Sequence, residues 1–562
     1  MPTVTHLLEQ LDALKSQFGA AYARQIYSVL RQLARVKIDD PESLVRVHEL
    51  LLFVRAYPHN ASVVQQTEKL LRDIPDRVEH LRQLDVDVSA LEHPEVSGIA
   101  GLSVTDTFTF PIVSWLAQLK PAALSFYWEW FEDENRIGEM WPTFLPLLEE
   151  DAFVEAHIPF REWLRNARGR QTEVRWLIGR FRRLRLTETE QAQLYNSQKL
   201  YLEWRYSYRE SRTGLRVPIK RIFFHEDPLI PRRDVRLEEE FNRPTPPTRK
   251  LSLSKGTLAL DVARNASTVR YRELYGFTNG DPRSVYQISL GRGVELVVFT
   301  LPPEKRLPLR AYHSAMIYKN GVPIGYFEGL SLFERMESGF NLYYTFRDGE
   351  TAWLYARILA VMKHLTGVTA FTLDPYQIGF DNEEGIESGA FWFYRKLGFR
   401  SMSGEIHKLT KNEEEKIAKR KNYRTTATTL RKLAAAPMIL ELDDSKKGDW
   451  DHFQLRQMGF AVQRLMAEKF SGDAERMREG AVRTISSLLG IESHINDQAL
   501  VDFALMLSLV PGLDQWSTDE KDALCQIIEA KGKGSESNYL RLMQKHERFR
   551  EEVIRIGSNR PK

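Results

Sequence analysis

Apolar residues recur at three-and-four spacing through THLLEQLDALKSQFGAAYARQIYSVLRQLARV, which predicts amphipathic helices over residues 1–95. A further helix is expected in DDPESLVRVHELLLFVRAY, where Asp40 suits the cap and Pro41 the first helical position. Residues 96–225 are less regular and mostly helical in character. GIAGLSVTDTFTFP reads as a loop, and ALSFYWEWF as a strand or a short buried helix. Five prolines punctuate EDPLIPRRDVRLEEEFNRPTPPTRK, residues 226–250, which reads as a linker.

The period then changes. VYQISL and VELVVFTL are β-branched runs, and RAYHSAMIYKNGVPIGYFEGLSLF places Asn320-Gly321 between two strand-like stretches, a hairpin signal. GFNLYYTF predicts another strand. RDGETAWLYARILAVMKHLTG predicts a helix with Leu354, Ile358, Val361 and Leu365 on one face and Gly367 at its end. VTAFTLDPY predicts a strand, ESGAFWFYRKLGF a helix, and FRSMSGEIHKL a last strand. From about residue 411 the chain reads as helical again, with a capping box expected at Ser517 and Glu520. The expectation is an α+β fold. A mixed β-sheet core with crossover helices occupies residues 251–410. Helical regions, 1–95 with 96–225 on one side and 411–562 on the other, flank it.

Composition narrows this picture a little. The 562 residues carry a net charge of +3, too small to argue for nucleic acid or a membrane surface. One cysteine, Cys525, excludes an internal disulfide or a thiolate metal cluster and fits a reducing compartment. MPTVTHLLEQLDALKSQF does not read as a signal peptide, and no stretch is apolar for the roughly 18 residues a membrane span needs. A soluble, cytoplasmic protein without a metal site is expected.

The candidate chemistry lies in ESGAFWFYRKLGF, residues 387–399. Gly398 allows a positive φ where the helix stops, and Phe399 can start a strand beneath it. Ala390, Tyr394, Gly398 and Phe399 stand at the spacing Ala, three residues, Tyr, three residues, Gly-Phe, with Glu387 three places before Ala390. In this the region from about 250 to 410 resembles the GNAT acyltransferase superfamily, whose segment carries Asn at the position of Glu387. The resemblance implies acyl transfer from acetyl-CoA or another acyl-CoA to an amine acceptor, with Tyr394 as general acid. It implies an acyl-CoA pyrophosphate loop at FRDGETAW, involving Arg347, Gly349, Thr351 and Ala352. Backbone amides near Tyr344 and Thr345 would polarise the acyl carbonyl. The loop departs from the pattern Arg/Gln-x-x-Gly-x-Gly/Ala in either register: counted from Arg347, Glu350 takes the glycine place, and counted from Phe346, Thr351 takes the last small one. Asp348 and Glu350 bring negative charge to the place of a pyrophosphate, and Asp348 can instead be the helix cap. Glu328, Glu337 and Asp374, near predicted strand ends, are the candidate bases.

Three other features are read as structural. Seven arginines with Trp176 and Phe181 in residues 166–186 can grip RNA, but suit the solvated face of a helix better. Glu129 and Glu132 read as a surface patch, and His313 as a packed histidine. Besides acyl-CoA transfer, two readings stay open: a transferase of the same fold using an aminoacyl-tRNA or other donor, and a non-catalytic binding scaffold.

Overall fold

Alternating strands build the centre of the molecule. The computed structural model describes residues 3–131, 134–144, 160–491 and 497–558. Among them a nine-stranded sheet is formed by β1 (Thr248–Lys250), β2 (Val285–Gly291), β3 (Val294–Thr300), β4 (Ala311–Lys319), β5 (Val322–Leu332), β6 (Arg335–Leu342), β7 (Ala370–Leu373), β8 (Arg400–Ser401) and β9 (Met438–Glu441). The spatial order is β8-β9-β7-β6-β5-β4-β3-β2-β1. From β1 to β6 every neighbour is antiparallel, while β6 and β7 are parallel and joined by the helix Thr351–Thr366. The sheet is therefore mixed, as expected.

The β4–β5 hairpin turns at Asn320 (φ 48°) and Gly321 (φ 79°), the two positive angles a tight turn requires. The Asn320 amide also donates to the carbonyls of Ala56 (2.9 Å) and Phe223 (3.0 Å), tying the turn to the N-terminal helices. Asp40 accepts from the Ser43 amide at 2.7 Å, Gly367 ends its helix at φ 80°, and the Ser517–Glu520 capping box forms.

Several elements differ from expectation. GFNLYYTF is a strand only to Leu342; residues 344–346 turn as a 3-10 segment, and the buried Thr345 hydroxyl bonds to Glu49. The 387–399 helix breaks at Gly389 (φ 67°), so Ala390–Arg395 is a separate short helix after Glu383–Glu387. FRSMSGEIHKL is strand only at Arg400–Ser401, because Ser403 caps a helix over Gly404–Lys419. Nor is the chain past 411 uniformly helical. MILE supplies β9, which slips between β7 and β8, antiparallel to both. In 226–250 lie a 3-10 turn at Arg232–Asp234, the helix Leu237–Asn242 and β1, and Arg357 reaches Glu240 at 3.5 Å from the crossover helix.

One sheet face packs the 351–366 helix, with Phe340 against Tyr355 at 4.9 Å. On the other face the helix Leu253–Thr268 covers Val297, Phe299 and Met316. Tyr326, Glu328, Glu337 and Asn341 on that face stay half-exposed. The C-terminal helices seal the end of the sheet where β6 and β7 begin. There buried Glu334 in the β5–β6 turn accepts from Trp450 (2.8 Å) and Arg550 (2.8 Å). Among the described residues no helix is long and apolar enough to cross a membrane.

Candidate functional site

The opposite end of the parallel pair is where the sheet comes apart. Pairing runs from Ala370 and Arg335 to Thr372 and Glu337, and the Ser338 hydroxyl then reaches the Thr372 carbonyl at 3.3 Å. Beyond that point β6 keeps only β5 as a neighbour, and the chain after β7 turns away through Pro375–Ile378. Into the gap opens a cavity of about 500 Å³, lined by Phe340, Asn341 and Leu342 on one side and Tyr376 and Gln377 on the other. A volume of that order suits a small molecule.

The start of the crossover helix forms part of its wall, through Gly349, Thr351 and Ala352. Glu350 occupies the N-cap position and makes no side-chain cap. Its carboxylate is turned into the protein, where it meets Arg292 at 2.7 Å and Lys319 at 3.3 Å and accepts from the Ile230 amide. Burial outweighs the pull of Glu350 on Lys319 and brings the ammonium down to about 8. Asp348 is exposed and bonds to Lys15 at 2.7 Å, so it is not the helix cap that the sequence suggested. Both acids are thus spent elsewhere, and the first-turn N–H groups, with their partial positive charge, stand uncapped beside the cavity. Gly349 is required by close approach: a Cβ there would lie 2.2 Å from the Tyr57 hydroxyl. Arg347 lines the same wall, its Nε donating to the Leu342 carbonyl at 3.2 Å and its guanidinium paired with Glu384. Arg272 enters from the loop after the 253–268 helix and donates to the Tyr326 hydroxyl at 3.0 Å.

Tyr394 lines the cavity opposite. Its ring packs on Tyr355 (5.5 Å) and Phe399 (5.8 Å), and Gly398 (φ 106°) lets the chain fold back beneath it. The ring is buried, yet its hydroxyl has no hydrogen-bond partner among the described residues. Burial pushes the phenol well above its ordinary value, so it keeps its proton. Packing and a free hydroxyl coexist in this one side chain.

The three candidate bases separate. Glu328 sits on β5 directly across from Gly339, and a Cβ on Gly339 would lie 3.8 Å from Glu328 and 3.9 Å from Gln377. The Tyr312 hydroxyl donates to one Glu328 oxygen, and burial raises the carboxyl above its usual range despite that bond. Glu337, two residues earlier on β6, lies 3.8 Å from Arg335 and 3.9 Å from Arg310. Asp374 is exposed and caps the next turn by accepting from the Tyr376 amide at 2.9 Å. Tyr344 and Thr345 lie past the end of β6 and line a different, smaller cavity with Lys15 and Arg46. The Thr345 hydroxyl accepts from Arg212 at 3.0 Å and donates to buried Glu49. Burial would raise Glu49, but Arg212 and the bonds from His48 and Thr345 hold it down at about 2.

The other sequence features are accounted for locally. Trp176 and Phe181 are core residues, while Arg168 and Arg182 donate to backbone carbonyls. His313 is buried, held down to about 4 by burial and Lys531. Glu129 accepts from Tyr127, and Glu132 lies outside the described residues. Sequence reasoning missed Asn341, Gln377, Arg272 and Arg232 on the cavity wall. Asn341 was within reach, since it alternates with Gly339 along β6; the others follow no local pattern. No family model, curated protein or solved structure matches the chain.

Proposed function

We propose that this protein is a GNAT-like acyltransferase that moves an acyl group from an acyl-CoA to an amine acceptor. The observation that carries this reading is the cavity between the parting ends of β6 and β7. A helix N-terminus without a side-chain cap and a tyrosine hydroxyl unpartnered among the described residues line it together. The lining fits an anionic thioester donor. First-turn amides of the 351–366 helix with Arg347 suit a pyrophosphate, because aligned N–H groups and a guanidinium both favour negative charge. Acyl-CoA, when bound, supplies the thioester carbon that the acceptor nitrogen attacks. Glu328, raised by burial and steadied by Tyr312, takes the proton that the amine must lose. Tyr394 holds a proton for the departing sulfur. Asn341 and Leu342, rather than Tyr344 and Thr345, border the cavity where the carbonyl would lie.

An RNA-borne donor is less well supported. The aromatics of the 166–186 segment are buried instead of offering a stacking surface, and the acids in 347–352 point away from the helix start. Calorimetry and thermal unfolding with acetyl-CoA, longer acyl-CoAs and CoA test the proposal. At a hundredfold excess over Kd the ligand should add about 2.7 kcal/mol to stability. Arg347→Ala should weaken binding about tenfold. Absence of binding by every thioester would overturn the reading.

A further inference from the structure

We propose that Arg272 selects the acceptor: the amine acylated at this site carries a carboxylate a few bonds away, as an amino acid does. The inference rests on the acyl-CoA reading. The cavity has walls on both faces of the sheet. Phe340 and Leu342 lie on the face of the 351–366 helix, where Phe340 meets Tyr355. Asn341 alternates with them and lies on the opposite face, beside its partner Tyr326 on β5. The donor's phosphates belong at the helix start, on the first face. Arg272 lines the cavity on the second, where it donates to the Tyr326 hydroxyl at 3.0 Å. It therefore meets what approaches the thioester from the other side, which is the acceptor.

That second face forms an open floor. Tyr326, Glu328 and Leu330 on β5 face Asn341, Gly339 and Glu337 on β6, and all six are half-exposed, while Phe327, Gly329, Ser338 and Phe340 between them are buried. Gly339 leaves the middle of the floor bare: a Cβ there would lie 3.8 Å from its nearest neighbour, on Glu328. Alternate residues of a strand stand about 7 Å apart, so Glu328 and the Tyr326–Arg272 pair bracket a compact molecule. Its amine meets Glu328 and its anionic group meets Arg272. A guanidinium has five N–H donors, and half-buried Arg272 gives one to a neutral phenol and makes no ion pair among the described residues. Glu384, on the same cavity wall, is already paired with Arg347. A carboxylate accepts two parallel bonds from such a fork, and its single charge matches a single cation better than a phosphate dianion does. In the transfer the amine nitrogen bonds to the acyl carbon as the carbon–sulfur bond breaks. Glu328 takes one amine proton, the leaving sulfur takes the proton of Tyr394, and the proton on Glu328 returns to Tyr394 through solvent.

The test offers the full chain each of the common L-amino acids and the corresponding amino acid amides, which keep the amine and lose the charge. Thiol release is followed with the acyl-CoA that binds most tightly, and acceptor binding is followed by calorimetry in the presence of CoA. The best amino acid should exceed its amide about tenfold in kcat/KM and in affinity. Arg272→Gln should bring that preference within about twofold by raising KM for the acid, and Arg272→Lys, which keeps the charge but not the fork, should hold an intermediate preference of about threefold. The wild-type comparison needs no variant to fold. Equal handling of acid and amide there would overturn the inference and leave the donor reading standing. So would a preference for the amides, which would point to a peptide N-terminus, or for O-phosphoethanolamine over every amino acid. Binding of acyl-CoA with no amino acid bound or acylated would also sink it, as would a preference untouched by Arg272→Gln. Failure of every acyl-CoA to bind would overturn the donor reading and this inference with it.

Discussion

The segment from Tyr344 to Ala352 has two sides, and they treat polar groups in opposite ways. Toward the N-terminal helices every charge is answered. Thr345 joins Glu49, Arg212 and His48 in one buried network, and Glu350 joins Lys319 and Arg292 in another. Toward the cavity the first-turn amides have no side-chain cap, and the Tyr394 hydroxyl has no hydrogen-bond partner among the described residues. Buried polar groups that only hold a fold together are normally satisfied. The helix start and the Tyr394 hydroxyl instead open onto the cavity, where solvent or a ligand can reach them. The same nine residues thus form a closed anchor on one side and border an open cavity on the other.

Breaking the anchor should have the largest effect. Glu350→Ala leaves buried Lys319 and half-buried Arg292 without their carboxylate, and should cost about 3–5 kcal/mol in urea unfolding. Asp348→Asn, on the exposed neighbour, should stay within about 0.5 kcal/mol. Comparable losses for the two would erase the distinction between the sides.

On the open side, Tyr394→Phe keeps the ring on Tyr355 and Phe399 and deletes only the proton. Turnover in an acyl-transfer assay should fall about a hundredfold while the Tm holds. A Tm loss with normal turnover would return Tyr394 to packing alone.

The anchor should also show in acid. Glu49 is depressed from 4.5 to about 2 in the folded chain. Its contribution is therefore fully present above about pH 4.5 and is lost as pH falls toward 2. Glu49→Gln should be less stable at pH 7, and its stability should decline less steeply across that window. Parallel wild-type and variant curves in a pH series of urea titrations would count against the network.

The smallest effect sharpens the contrast most. Thr351→Asp places a carboxylate at the uncapped helix start and should raise stability by about 0.5 kcal/mol. The same change should weaken acyl-CoA binding, because the new charge occupies the amides. A variant that gains stability without losing ligand affinity would separate that helix start from the donor site.

The pattern along the chain by itself determined the mixed sheet, the Asn320-Gly321 hairpin, the crossover helix with its Gly367 end, and the Tyr394…Gly398-Phe399 ending. Each follows from local physics: a period of two or about 3.6, or a glycine where φ must be positive. Tertiary structure alone decided the rest. The four-residue MILE strand follows no long period, and only the space between β7 and β8 made it β9. Asp348 and Glu350 looked like acids facing a phosphate, because sequence spacing gives no direction to a side chain at an irregular turn. Lys15, Lys319 and Arg292, remote in the chain, drew those carboxylates away. Arg232, Arg272 and Gln377 reach the cavity from three separate loops, and loop positions carry no periodic signal to announce which side chains will meet.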